Sequence, residues 1–409
     1  VKVCIVCYGL REYNIRLQPW RYISEIASGI YQKNIDVTII TDGSLEREIF
    51  QHIPIINIKR LRKLPFQFNR ELISVIQSEK PDVILWSVTA LDYLYLNMFK
   101  QINIPIIGMF TGPIYKLSDI TRIGTYVIIK NIKFLSTHVI YASLPPFFIR
   151  NLVNSPYCNK IFVMSRKNKE IIIEIGGNRE KVVHIPAGID EYEFEMYEDY
   201  SSIISRYHLD EKSFNILYFG SPLSIRGIDH LIKSISKVRS VYPCVKLLIL
   251  SRRRNNELNN EEINLQNLIL KLDIEKNVHI ISGFLDKDEV KKFIGFSDLI
   301  VLPFKIVPSD VPTSVLESMA MGKVVVSTDI DGIPELLEDG RGFVVQPNKE
   351  EDLVEKIFFS IKNQDIIKNM GEKAASHMQT HPKWSEVSEL ALSEVTKIFD
   401  KRSQSEVNL

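Results

Sequence analysis

At 409 residues the chain exceeds one ordinary hydrophobic core and suits two domains of about 200 residues each. Hydrophobic residues make up 45% and charged residues 25%, the balance of a globular protein. With 51 Lys and Arg against 50 Asp and Glu, there is no overall electrostatic case for binding nucleic acid.

Strand and helix signals alternate from the start. Val3–Cys7 reads as a buried strand, Ile23–Gln32 as a helix with Ile23, Ile26, Ile30 and Tyr31 on one face, and Val37–Ile40 as a strand stopped by Asp42-Gly43. Asp82–Trp86, Ile104–Ile107 and Ile161–Met164 are further strands. Phe134 to Ile149 carries no Asp, Glu, Lys or Arg, but it is short for a membrane span and broken by Pro145 and Pro146. The chain opens on a strand with no leader-like segment, so a cytoplasmic location is expected. An acidic stretch, Ile189–Ser205, with Asp190, Glu191, Glu193, Glu195, Glu198 and Asp199, reads as the connection between two domains.

The pattern then restarts. Asn215–Phe219, Val245–Leu250, Val278–Ile281, Leu299–Leu302 and Val324–Ser327 read as strands, with a helix near Asp229–Val238. Ser385–Phe399 has helical period through Val387, Leu390, Ala391, Val395 and Ile398, and Lys401–Leu409 reads as a frayed polar tail. Such alternation implies parallel strands with crossover helices, because parallel neighbours need long connections. Cys4 and Cys7 form a C-x-x-C inside the first strand, where residues three apart face opposite sides. With no second pair or His cluster to make a zinc site, the cysteines Cys4, Cys7, Cys158 and Cys244 read as small apolar fillers in a reducing compartment.

Two motifs carry chemistry. Phe219 to Gly227 follows a strand and precedes a helix, with Gly220 for close backbone approach and Arg226 as a fixed cation matched to phosphate oxygens. By itself this is equally an ordinary turn with a solvated Arg. Pro308 to Lys323 is a polar, Pro-rich loop entering a helix near Thr313 or Ser314, either of which can cap it. The free N–H groups of the first turn then offer an anion seat. Glu317 either closes a capping box or accepts from ribose hydroxyls. A third run reads as strand, turn, short helix, turn, strand: Asp329-Ile330-Asp331-Gly332-Ile333-Pro334-Glu335, then Gly340-Arg341-Gly342-Phe343-Val344-Val345. No G-x-G-x-x-G follows either first strand, which disfavours a nicotinamide-dependent dehydrogenase.

Taken in order, these runs resemble the retaining glycosyltransferases of family 4, glycosyl transferases group 1. Met164-Ser165-Arg166, Lys181 to Asp190, Gly220-Ser221 with Arg226-Gly227, Gly283, Ser297 to Pro303, and Leu316 to Gly342 carry the likeness. The resemblance implies an α/β chain of GT-B architecture, with two Rossmann-like doubly wound domains facing across a cleft. Residues 1–195 would form the acceptor-side domain and 205–383 the nucleotide-sugar domain, with the helix 384–400 returning to the first. It implies donor contacts at Gly9, Gly220, Ser221, Arg226, Gly227, Phe284, Thr313, Ser314, Val315 and Glu317. Arg226, Ser309, Asp310 and Thr111 are the candidates for the reacting end.

There are departures. Ser309 stands where the family has the first of two Glu residues, with Asp310 beside it. Ser221 stands for the phosphate-binding Arg, and Thr111 for an N-domain His. The expected reaction is transfer of a sugar from a nucleotide-diphosphate sugar to a glycan or lipid-linked acceptor. The resemblance implies retention and no cofactor, and a guanidinium and a helix N-terminus can hold the leaving phosphates without a metal. Residues 124–150, aromatic and apolar with Lys130, Lys133 and Arg150, are either core or a peripheral contact with the cytoplasmic membrane face. No nucleic-acid partner is expected. The alternative is a non-catalytic partner subunit that binds the donor without transferring it.

Overall fold

The computed structural model describes residues 1–43, 52–61, 69–194, 197, 199–252, 260–283 and 285–407. Its first sheet contains β1 (Lys2–Cys7), β2 (Asp36–Thr41), β3 (Ile55–Asn57), β4 (Val83–Ser87), β5 (Ile106–Phe110), β6 (Lys160–Val163) and β7 (Val182–His184). The order is β3-β2-β1-β4-β5-β6-β7, and every pair is parallel. The second sheet contains β8 (Phe214–Gly220), β9 (Val245–Arg252), β10 (Val278–Gly283), β11 (Leu299–Leu302), β12 (Val325–Thr328) and β13 (Gly342–Val345). Its order is β10-β9-β8-β11-β12-β13, again all parallel. These are the two doubly wound, Rossmann-like units expected of GT-B architecture.

The inner strands are apolar runs because helices cover both faces of each sheet. Val3 through Cys7 are wholly buried, and Cys4 and Cys7 enter separate apolar clusters on opposite faces. Burial pushes the Cys4 thiol far up and the Cys7 thiol up to about 12, so neither is a reactive thiolate. Cys244 does not fit the expectation of a buried filler: it is exposed, in the turn ahead of β9.

Other expectations shift locally. The strand expected at 104–107 runs from Ile106 to Phe110. Pro105 has no N–H to pair, and the Asn159 side chain takes the Ile106 N–H at 3.0 Å. β3 and β7 are three-residue edge strands, too short to show a period. The acidic connection is partly structured. Asp190 pairs with Arg21 (2.5 Å) and Lys287 (3.2 Å), and Ser201–Tyr207 is a helix packed through Tyr207 on Phe293. Glu195 and Glu198 lie outside the described residues.

The last helix, Trp384–Val407, lies against the first-domain helix Trp20–Gln32. Ser388 Oγ donates to the Glu25 carbonyl at 3.1 Å. A Cβ on Gly29 would fall 2.1 Å from Ser388 Oγ, so a glycine is needed for the two helices to touch. Val387, Ala391 and Val395 are fully buried, but Leu390 is 47% exposed and was misplaced by period alone. The helix also continues through most of the stretch expected to fray. No helix among the described residues is long and apolar enough to cross a membrane.

In each sheet the strand order reverses direction in the middle, between β1 and β4 and between β8 and β11. Loops leaving the carboxyl ends at such a switch point diverge and open a crevice.

Candidate functional site

At the second switch point, Gly220 and Gly227 bracket a short 3-10 turn, Ser224–Arg226. Gly227 holds φ +77°, and a Cβ there would sit 1.8 Å from the Pro303 carbonyl oxygen. Only glycine lets this turn pass so close to the end of β11. The turn aims Arg226 at the neighbouring loop. Its Nη1 donates to the Ile306 carbonyl over a long 3.4 Å, and the guanidinium lies 5.5 Å from the Phe304 ring centre. The side chain is half-buried. Its other N–H groups make no hydrogen bond among the described residues, and no carboxylate pairs with it. Burial lowers its pKa, which is the signature of a cation short of solvent and of partners. Arg226 is therefore partly withdrawn from solvent rather than fully solvated.

The loop that leaves β11, the strand paired with β8, leads into the helix Thr313–Ala320. Thr313 and Ser314 were expected to cap it, but Pro312 occupies the cap position and no side chain caps the helix. Both hydroxyl residues lie inside the first turn, where they cannot fold back on its N–H groups. Glu317 closes no capping box there either. It is half-buried, and its charge reaches Arg21 of the first domain. The positive end of this helix has no side-chain cap; the Val315 N–H turns to the Pro312 carbonyl at 3.2 Å, and Val315 itself is buried.

The residues expected at the reacting end meet one another. Asp310 N donates to the Thr111 carbonyl at 3.2 Å, and Ser309 Oγ donates to the same oxygen at 3.4 Å. The Gly332 N–H donates to the Asp310 carbonyl, and a Cβ on Gly332 would stand 2.9 Å from Ser165 Cβ of the first domain. Tyr115 completes this joint. Its hydroxyl donates to Asp331 Oδ2 at 2.5 Å and accepts from the Val307 N–H at 3.0 Å.

Asp310 is not a solvated loop residue. It is fully buried, and neither carboxyl oxygen has a hydrogen-bond partner of normal geometry. Burial pushes its carboxyl up to about 7, against a smaller opposing effect of the nearby Ser165 hydroxyl. Asp331 is driven well above the usual carboxylate range, by burial first and then by Asp310. Two acidic groups therefore share a dry seam between the domains, where the neutral forms are favoured.

Of the remaining predicted positions, Ser221 is half-buried, with its carbonyl held by the Tyr218 hydroxyl at 2.6 Å. Gly9, after β1, takes φ +64° and donates its N–H to Asp42 at 2.7 Å. Phe284 lies outside the described residues. Tyr115, Asn131 and His138 escaped the sequence reading because no motif frames them. The available signal was the absence of any Asp or Glu from Ile120 to Lys169.

Two family models tile the chain. One described as Glycosyltransferase Family 4 matches residues 20–192, and one described as Glycosyl transferases group 1 matches residues 200–377. The alpha-D-kanosaminyltransferase of Streptomyces kanamyceticus is 24% identical over 172 residues, 42% of this chain and 42% of its own. An uncharacterized glycosyltransferase of Methanocaldococcus jannaschii is 26% identical over 269 residues, 63% of this chain and 58% of its own. The chain thus spans about half the length of the curated relatives it matches.

Among solved structures, a glycosyltransferase from Rickettsia africae superposes with a TM-score of 0.74 at 20% identity, covering 97% of this chain and 98% of its own. Anabaena HepE in complex with UDP superposes with a TM-score of 0.75 at 15% identity, covering 97% and 100%. At such identity these likenesses establish the fold.

Proposed function

Since this chain belongs to the family 4 glycosyltransferases of GT-B fold, we propose that it transfers a sugar from a nucleoside-diphosphate sugar to an acceptor hydroxyl. The carrying observation is that Arg226, half-buried and without a carboxylate partner among the described residues, and a helix start at Thr313 without a side-chain cap both follow the carboxyl ends of the paired strands β8 and β11. Breaking the bond between the anomeric carbon and the phosphate oxygen leaves an electron pair on the diphosphate. A guanidinium and a helix N-terminus stabilise that charge without rearranging, and do so more strongly where water is scarce. On this reading Glu317, one turn into the helix, accepts from the ribose diol. This reading needs no metal, and retention of configuration follows from the family.

The acceptor reading is glycan or lipid-linked. Ile129, Ile132, Ile140 and Phe147 are exposed at 69%, 52%, 52% and 40% on one run of the first domain, with Arg122 and Arg150 exposed nearby. Lys130, by contrast, is paired with Glu261 at 3.0 Å. An apolar patch edged with cations suits an anionic lipid surface. A second reading, binding without transfer, is favoured by the closed joint at Thr111, Ser309 and Asp310.

The test is a panel of UDP-, GDP- and dTDP-sugars, scored first for a rise in melting temperature and then for turnover with and without chelator. Stabilisation with turnover in chelator supports the enzyme reading. Stabilisation without turnover on any acceptor supports the binding subunit. No stabilisation by any donor refutes both.

A further inference from the structure

Arg226 faces more than its own domain. The first-domain segment 113–143 docks directly on its loop. Asn131 Nδ2 donates to Ser224 Oγ at 3.1 Å, and Ile120, Ile123, Val127 and Leu135 form one apolar cluster with Ile225 and Ile306. This clamp brings two side chains of the first domain to the guanidinium's side. Tyr115 holds Val307, the residue next to the carbonyl that Arg226 touches. His138, on the helix Ile132–Ser143, packs 6.0 Å from the Tyr115 ring and stacks on Phe134 at 5.2 Å. Its Nδ1 lies 3.3 Å from the Phe134 carbonyl, so Nδ1 carries the proton. Nε2 has no partner among the described residues, and the ring is half-buried.

We propose that His138 is the first domain's contact to the diphosphate that Arg226 holds, binding it as an imidazolium through Nε2–H. This rests on the donor reading above and adds a positioning residue from the opposite domain. The chemistry forces a proton balance. With Nδ1–H directed to Phe134, a neutral His138 offers a lone pair at Nε2, which repels phosphate oxygen. It must gain one proton from solvent to become a donor.

Burial lowers its pKa first, the hydrogen bond to the Phe134 carbonyl opposes this, and the Arg226 charge lowers it again. The groups around it are Arg226 from the second domain and the Tyr115 phenol with Asp331 behind it, while Asp119 on the helix Leu117–Thr121 acts on Asp331. A diphosphate placed between the two cations pays back the repulsion and raises the imidazole pKa. Binding therefore takes up a proton, and affinity falls as pH rises above the empty-site value.

The experiment is calorimetric titration of the full chain with UDP, inorganic pyrophosphate and uridine at pH 6 and pH 8. The proteins are the parent, His138→Phe, which keeps the stack on Phe134, and His138→Gln, which keeps a neutral donor. The probes' own phosphate titration is common to all three proteins and cancels in the comparison. At pH 6 His138→Phe should lose about tenfold in UDP and pyrophosphate affinity with uridine unchanged. His138→Gln should recover part of that loss, and the deficit of both variants should shrink toward pH 8. Equal UDP affinity and equal pH dependence in parent and both variants would overturn the assignment while leaving the Arg226 seat standing. Failure of the parent to bind UDP or pyrophosphate at either pH would overturn the seat itself, and this contact with it.

Discussion

The loops that leave β8, β11 and β12 build two different places. At one, Arg226 has a single long hydrogen bond among the described residues, the first turn of Thr313–Ala320 has no side-chain cap, and both are partly reachable. At the other, a few residues away, Ser309, Asp310 and Asp331 are enclosed and turned onto Thr111 and Tyr115 of the opposite domain. Unfilled polar groups cost stability unless a ligand supplies what is missing. At the joint the Asp310 N–H, the Ser309 hydroxyl and the Tyr115 hydroxyl are consumed by inter-domain partners and serve closure, while the Asp310 carboxyl is left buried without a partner. The difference separates a binding surface from a domain joint, although both sit at the carboxyl end of the same sheet.

The largest expected effect is at the joint. Ionising Asp310 in the closed seam is opposed by burial, so its carboxyl titrates near 7 rather than near 3.8. The sign follows directly. Well below pH 3.8 the group is neutral in both closed and unfolded chains, and the ionisation penalty vanishes. As pH rises from 4 to 7 the unfolded chain loses the proton first, and the closed state is penalised progressively, up to roughly 4 kcal/mol. Ser165, Lys167, Glu335 and Asp331 face the group and set how much of this is realised. Asp310→Asn should therefore melt higher than the parent at pH 8 and nearly alike at pH 4. A variant that melts lower at pH 8 would show Asp310 paired rather than stranded.

Next comes the seat. Arg226→Ala should cost about 1.5–3 kcal/mol of nucleoside-diphosphate affinity, tenfold or more, with nucleoside affinity and melting temperature little changed. Calorimetry with UDP and uridine measures it. If the variant instead melts several degrees lower and binds UDP normally, Arg226 belongs with the joint and the contrast collapses.

Gly332→Ala tests the joint sterically. Its φ of −77° suits alanine, so the effect is purely the contact with Ser165, Val311 and the Asp310 carbonyl. A loss of ~1–3 kcal/mol is expected, carried by the domain seam rather than by either core. Hydrogen exchange should show faster exchange at Asp310 and Gly332 and unchanged protection in β1 and β8.

The smallest effect is expected of Glu317→Gln. With no capping box to lose, stability should hold within ~0.5 kcal/mol while donor affinity falls a few-fold. Equal binding of UDP to both proteins would remove Glu317 from the ribose contact.

Much of this was legible beforehand. β8 ends on Gly220 and is followed by Arg226, so a strand–glycine–cation turn could be read off without coordinates. Cys4 and Cys7 were placed on opposite faces by strand period alone. Leu390 was misread because a helical period does not say where the covering partner stops. The Thr313 cap failed because Pro312 shifted the helix start by one residue, which propensity cannot resolve.

The alternation of apolar strands and amphipathic helices by itself determined two doubly wound domains, because each element's periodicity records which of its faces must leave water. What it could not carry is which residues face one another once the domains dock. Thr111 and Ser309 lie 198 positions apart and share one hydrogen bond. Tyr115 reaches Asp331 across 216. No local pattern encodes such pairs, since the burial of Asp310 and the company of Arg226 arise from packing between domains. The tertiary structure alone decided that one loop is left partly open and its neighbour buried in the seam between the domains.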